Sequence, residues 1–387
     1  MASSKALITN NYLTDIASAI RAKNGLSTTY LPFQMASAIT DIPSGGGLEL
    51  ITQEQRDALS IASGNYSNIG TDVFQSFPNL TIASFPSCKY VGSRAFQNCS
   101  NLTEANFPEC EAIGGNYPSG TTFSGCINLT NINFPKCSYI GTWTFSSCRS
   151  LTSVSFPKCT TIDHHAFAYC SGLTLADFPV CTNIVTGTFR GCRSLASINF
   201  PVCTSIGTSA FLDCRSLTTA DFPECTSIGS SAFRDCSSLT SVSFPLCTNI
   251  EGYAFQNCSS LTSINFPQCI TIGSTAFQNC SSLTLVSFPL CSIIGSFAFQ
   301  SCSSLTSISF PVCTTIGGNA FYCCNSLTSV IFPECTTIGY YAFTSCSNLT
   351  SVSFPQCTTI DNYAFLSCAS LTSISFPQCT SIGISAF

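Results

Sequence analysis

Residues 239–260 read LTSVSFPLCTNIEGYAFQNCSS, and this stretch decides the fold because the chain keeps repeating it. Its Phe-Pro pair, Phe244-Pro245, recurs with Phe at 85, 107, 134, 156, 178, 200, 222, 244, 266, 288, 310, 332, 354 and 376. Every step is 22 residues except Phe107 to Phe134, which is 27. A second Phe, usually preceded by Ala, keeps the same period from Phe96 through Phe145, Phe167 and Phe233 to Phe387. The shared pattern is L-T-S-V-S-F-P-x-C-T-x-I-G-x-x-A-F-x-x-C-S-S.

Elementary physics turns that pattern into an architecture. Leu239, Val242 and Phe244 form one apolar stripe, and Ile250, Ala254 and Phe255 form another. Neither is long enough to bury itself. Copies stacked in register would cover one another with continuous apolar ladders. Pro245 ends an extended segment, because proline cannot donate to a strand ladder. The glycine of the I-G step, such as Gly229 or Gly273, is expected to supply a turn of positive φ. Neighbouring coils would pair through parallel strands roughly 4.8 Å apart. The expected fold is a mainly β solenoid of 22-residue coils, spanning residues 65–387 in about fourteen units.

Composition agrees and excludes other classes. Charged residues make up only 8% of the 387, against roughly 25% in an ordinary soluble domain. Hydrophobic residues reach 45%, enough to build a core. Polar residues and proline interrupt every apolar run well short of the roughly 20 residues of a spanning helix, so no membrane partner is expected. A net charge of −5 gives no general attraction to nucleic acid or anionic lipid.

The unit resembles the BspA-like (Treponema pallidum type) leucine-rich repeat, L-x-x-I-x-I-P-x-x-V-x-x-I-G-x-x-A-F-x-x-C. The likeness spans residues 65–387 and is most specific in I-G-x-x-A-F-x-x-C. It implies a leucine-rich repeat solenoid of the kind found in bacterial surface adhesins. Here Phe stands before Pro where the family has Ile, Cys stands where the family often has Val, and the unit is one residue short.

Nearly all 28 cysteines fall in two series. One follows Phe-Pro (Cys88, Cys110, Cys137 to Cys379). The other follows Ala-Phe (Cys99, Cys126, Cys148 to Cys368), and Cys323 is the lone extra. The series permit a disulfide framework, or a small apolar side chain repeated because the unit repeats. The second reading is favoured, since Phe77 replaces the second Cys in the first unit.

The N-terminal part carries no repeat. Leu13, Ile16 and Ile20 share a helical face, and Pro32 opens a second candidate helix with Phe33 and Ile39. Residues 1–44 are expected to be a small α-helical attachment module. Residues 45–51 read as a Gly-rich linker, and 52–64 as a helical N-cap shielding the first coil. The segments around Leu13–Gly25 and Leu31–Ile39 are similar to N-terminal modules of tail and minor structural proteins in phages and prophages of Gram-positive bacteria. That similarity implies a virion component joined to other virion proteins through this end. At the other end Phe387 is a core position, so either the sequence continues or another chain, such as a second copy, covers that edge.

Catalytic constellations are not legible. The only histidines, His164 and His165, are adjacent, and neighbours in a strand point to opposite faces. Carboxylates are scattered, and no phosphate-binding or dinucleotide motif occurs. No enzyme activity, metal or cofactor is expected. Arg193 and Arg215 share the position after the second Cys. They form either a solvated charge band or a contact for an acidic glycan or teichoic polymer.

Internal variation is more informative. Core positions barely change between units, but the residue before Ala-Phe does, reading Arg94, Trp143, His165, Gly187, Ser209, Ser231, Tyr253, Thr275, Phe297, Asn319, Tyr341 and Tyr363. Stacked packing would force similar residues in an inward column, so this one is expected to face water. Exposed aromatics in a row suit either an outer strand face or a binding surface. Tyr340, Tyr341 and Tyr363 make the richest patch, and Trp143 with the five-residue insertion at 115–119 a second. The expected function is non-enzymatic binding, by a phage tail or virion surface component touching a host surface polymer or protein. The alternatives are a BspA-like adhesin at the bacterial surface and a self-assembling filament subunit.

Overall fold

The computed structural model describes residues 57, 59–114 and 120–387. The attachment module, its residues Leu13, Ile16, Ile20, Phe33 and Ile39, the linker and the 115–119 insertion lie outside the described residues. Two compact units emerge from the contacts: one up to Cys181 with Gly191–Arg193, the other Thr182–Arg190 with Ser194–Phe387.

Each coil contributes the same two short strands. In the coil quoted above they are Ser241–Ser243 and Asn249–Ile250. The first strand stops just before Phe-Pro, where the ladder would lose a donor. All pairing is parallel between successive coils, as in Asn249↔Thr271 with Ile250↔Ile272. In the later unit ten second strands, Asn183–Ile184 to Ser381–Ile382, make one continuous sheet. In the earlier unit five do so, from Asn68–Ile69 to Thr161–Ile162. The 27-residue step leaves pairing intact, because Glu104 still faces Asn131 and Ile113 still faces Ile140. Its five extra residues fall at 115–119.

The core consists of two phenylalanine ladders. Phe-Pro rings stack on Phe-Pro rings, as Phe244 on Phe266 at 5.8 Å and 10°. Ala-Phe rings stack on Ala-Phe rings, as Phe255 on Phe277 at 5.2 Å and 3°. The two ladders meet edge-on, Phe244 to Phe255 at 6.2 Å and 67°. Offset stacks and edge contacts are the arrangements the ring quadrupole favours. Leu239, Ile250 and Ala254 are fully buried with them, while Val242 is half-buried.

Two expectations are corrected. The helical N-cap over 52–64 does not extend to its end. Asp57 is helical, but Ile61–Ser63 is a strand paired with Ile82–Ser84. Leu59-Ser60-Ile61-Ala62-Ser63 copies Leu80-Thr81-Ile82-Ala83-Ser84, and the i, i+2 spacing of Leu59 and Ile61 is that of a strand. The solenoid therefore begins before residue 65, with a coil that lacks Phe-Pro. There the Tyr66 ring stands 6.2 Å from Phe85.

The second correction concerns glycine. The I-G glycines Gly229 and Gly273 do not have positive φ. They are required by close approach instead, since a Cβ on Gly229 would stand 2.8 Å from the Gly207 carbonyl carbon. Among the described I-G glycines Gly114 alone is left-handed, at φ 81°; the other left-handed residues lie further along the coil and, apart from Gly125, Gly187 and Gly191, are not glycine.

No cysteine is joined in a disulfide, and only Cys323, Cys368 and Cys379 are not fully buried. Cys258 donates its thiol to the Phe233 carbonyl of the preceding coil at 3.2 Å. Cys247 donates to the Asn249 carbonyl in its own coil at 3.3 Å. Each series thus buries a small apolar group whose one polar proton is satisfied. Burial pushes the Cys99 and Cys280 thiols up to about 12 and Cys247 to about 11.

Candidate binding surface

The turn after the second strand holds two left-handed residues per coil, four positions apart. In the quoted coil they are Tyr253 (φ 62°) and Asn257 (φ 62°). Three N–H groups then point at the next coil. Tyr253 donates to Ser274, Phe255 to Ala276 and Asn257 to Gln278, at 3.0, 2.8 and 2.9 Å. The peptide orientation that makes these rungs forces positive φ on residues poorly suited to it.

The first left-handed column is the variable column before Ala-Phe. Its residues are half-exposed or exposed, except Gly187 and Thr275, which are buried. A left-handed backbone in the turn carries the side chain outward, clear of the phenylalanine ladders. Tyr253 is 43% and Phe297 39% exposed.

Aromatic neighbours in this column stack. Trp143 lies on His165 at 4.1 Å and 13°. Tyr341 lies on Tyr363 at 4.8 Å and 11°. Tyr340, from the adjoining position, sets its edge against both, at 4.0 Å and 80° to Tyr341 and 6.0 Å and 81° to Tyr363. A hydrogen bond with Tyr340 raises the Tyr341 phenol above its ordinary value. The three rings form one polar-edged aromatic platform.

The arginines have separate settings. Arg215 is exposed and pairs with Asp213 at 2.5 Å, whose carboxylate raises the guanidinium. Arg193 is exposed in the earlier unit. Arg234 pairs with Asp235 at 3.5 Å and lies 5.9 Å from the Tyr253 ring centre. The two histidines occupy a turn, not a strand, because the coil's second strand ends at Ile162. His165 faces Trp143, whereas His164 approaches Asp163 at 3.8 Å.

The second left-handed column escaped sequence reading. It holds Asn98, Ser147, Tyr169, Asp213, Asp235, Asn257, Asn279, Ser301 and Cys323, with Gly125 and Gly191. The signal was present, since Asn, Asp, Ser and Gly are the residues a left-handed position tolerates.

The profile of the BspA type leucine-rich repeat region matches residues 67–186, 117–218, 160–284 and 270–387. The chain belongs to the BspA-type leucine-rich repeat family. A leucine-rich repeat protein from Bacteroides ovatus ATCC 8483 is 25% identical, with 84% of this chain and 92% of that one covered and a TM-score of 0.59. A leucine rich cell surface protein from Faecalibacterium prausnitzii A2-165 is 24% identical, covering 82% and 88%, at a TM-score of 0.41. No curated protein matches the chain. In this BspA-type coil, each part of I-G-x-x-A-F-x-x-C has a physical duty. Ile closes the second strand, Gly abuts the preceding coil, and the residue before Ala-Phe turns left-handed. Phe stacks in its ladder, and Cys bonds back to the Phe carbonyl of the preceding coil.

Proposed function

We propose that the protein is a non-enzymatic adhesin of the bacterial surface, binding a host polymer or protein through the outward columns of its turns. One observation carries this reading: the inward columns are nearly constant, while the left-handed outward column varies and gathers Tyr340, Tyr341 and Tyr363 into a single platform. Aromatic rings give rigid contact area at low entropic cost. Membership of the BspA-type family supports surface adhesion over a place in a phage tail. The virion reading draws on residues 13–39 alone, with Leu13, Ile16, Ile20, Phe33 and Ile39 as its attachment face.

The test replaces Tyr340, Tyr341 and Tyr363 by Ser together. Serine already occupies the left-handed column at Ser209, Ser231 and Ser385, so the turn tolerates it. Binding to host cells should fall at least tenfold with the thermal transition unchanged. Undiminished binding by the folded variant overturns the platform as the contact surface.

A further inference from the structure

The second left-handed column lines a groove of about 510 Å³ in the later unit. Its walls include Asn257, Asn279, Ser281, Ser301, Ser303 and Asn325, with the Cys323 thiol among them. The whole lining is uncharged, and amides and hydroxyls both donate and accept. The amides are held in place: Asn257 donates to the Asp235 carboxylate at 2.7 Å, and Asn279 donates to the Asn257 carbonyl oxygen at 2.8 Å. Each coil contributes two residues to the lining, so the groove presents small uncharged groups at regular intervals.

The coil at one end of the groove adjoins the coil that carries Tyr340 and Tyr341. Asn319 N–H donates to the Tyr340 carbonyl at 2.8 Å and Cys323 N–H to the Thr344 carbonyl at 3.0 Å, joining the two coils. Polar groups along the groove and the aromatic rings therefore lie on adjoining coils.

We propose that this groove binds a neutral polysaccharide chain laid across successive coils. The proposal deepens the adhesin reading and rests on it. A sugar chain offers hydroxyls that match Asn and Ser in both senses of the hydrogen bond, and C–H faces that suit tyrosine rings. Its ring-by-ring repeat is of the same order as the coil spacing of roughly 4.8 Å. An acidic glycan finds no cation in the lining, and a peptide finds neither an open strand edge nor apolar pockets there.

Titration calorimetry of the full chain with cellohexaose, mannohexaose and chitohexaose tests it, with polygalacturonate as the charged comparator. At least one neutral hexasaccharide should bind. Ser281→Phe, which fills the groove, and Asn279→Ser, which copies Ser301 of the same column, should each weaken that binding about tenfold. Asn279→Ser keeps the test decisive should the bulkier variant misfold. No binding of any neutral hexasaccharide at millimolar concentration, equal binding by folded variants, or binding of polygalacturonate alone overturns the proposal. Host-cell binding separates the two readings. If both groove variants keep it while the tyrosine triple variant loses it, the groove proposal fails and the adhesin stands. If the wild type binds a hexasaccharide but no host cell, the adhesin reading fails and the groove stands.

Discussion

Gly273 sits so close to Glu251 of the preceding coil that a Cβ on it would stand 2.6 Å from the Glu251 carbonyl carbon. The obstacle is backbone, held by the Ile250↔Ile272 pairing, and it cannot swing aside. Gly252 has more room, its nearest atom being the Ser274 carbonyl oxygen at 3.1 Å. Gly273→Ala should therefore cost about 1–3 kcal/mol, as overpacking does, and Gly252→Ala well under half as much. Urea unfolding of the two variants checks the ratio, and equal losses would contradict the close-approach account.

Positive φ at non-glycine residues gives a second prediction. Phe297 has φ 61° and is exposed, so its side chain can be exchanged with little loss of packing. Phe297→Asn should be close to neutral, because Asn tolerates the left-handed region. Phe297→Val should be less stable than Phe297→Asn by about 1–2 kcal/mol, since a branched Cβ crowds the carbonyl there. A melting comparison of the two reads the backbone alone.

The ring ladders predict the largest single losses. Phe255 is fully buried between Phe233 at 5.3 Å and Phe277 at 5.2 Å. Phe255→Ala should cost about 3–5 kcal/mol. Coils touch chiefly their neighbours, so hydrogen exchange should rise most in the coils flanking residue 255. Uniform acceleration across the later unit would show that the solenoid unfolds as one block.

The thiols predict both labelling and pH dependence. In the folded chain Cys323 should react first with a thiol reagent, followed by Cys368 and Cys379, the three that are not fully buried. All 28 should react after denaturation. A denatured, unreduced chain that resists labelling would mean that disulfides had formed. Burial raises these thiols, to about 11 at Cys247 and about 12 at Cys99 and Cys280, against 9.0 for an ordinary thiol. The folded state thus holds the proton more tightly than the unfolded state. The associated stability is complete below the ordinary thiol pKa and is lost as pH rises above it. Each such thiol contributes a loss of about 1.4 kcal/mol per pH unit. Many buried thiols acting together should give a steep, cooperative alkaline unfolding starting near pH 9–10, roughly where unfolded thiols ionise. Circular dichroism against pH checks it, and a flat signal through that range would contradict the link between buried thiols and alkaline stability.

The period of Phe244-Pro245 was enough to read coils, parallel pairing and buried phenylalanines, because an apolar set of five or six residues has no way to be covered except by its copies. The same period exposed the variable column before Ala-Phe. The strand at Ile61–Ser63 is hidden in the sequence because its coil lacks Phe-Pro, and the i, i+2 spacing of Leu59 and Ile61 is a strand signal that only pairing with Ile82–Ser84 makes plain. The role of the I-G glycine was misassigned because a turn of positive φ and a close backbone approach both demand glycine. Sequence shows the demand without its cause.

Sequence by itself determined the repeat length, the inward columns and the small apolar role of the cysteines, all of which follow from local residue chemistry summed over identical units. Tertiary structure alone decided which turn residues are left-handed, which tyrosines share a platform, and that Asn257, Asn279 and Ser301 line one groove. Those relations join residues 22 or more apart, and they are set by how each coil's peptide groups bond to the next, which no single unit contains.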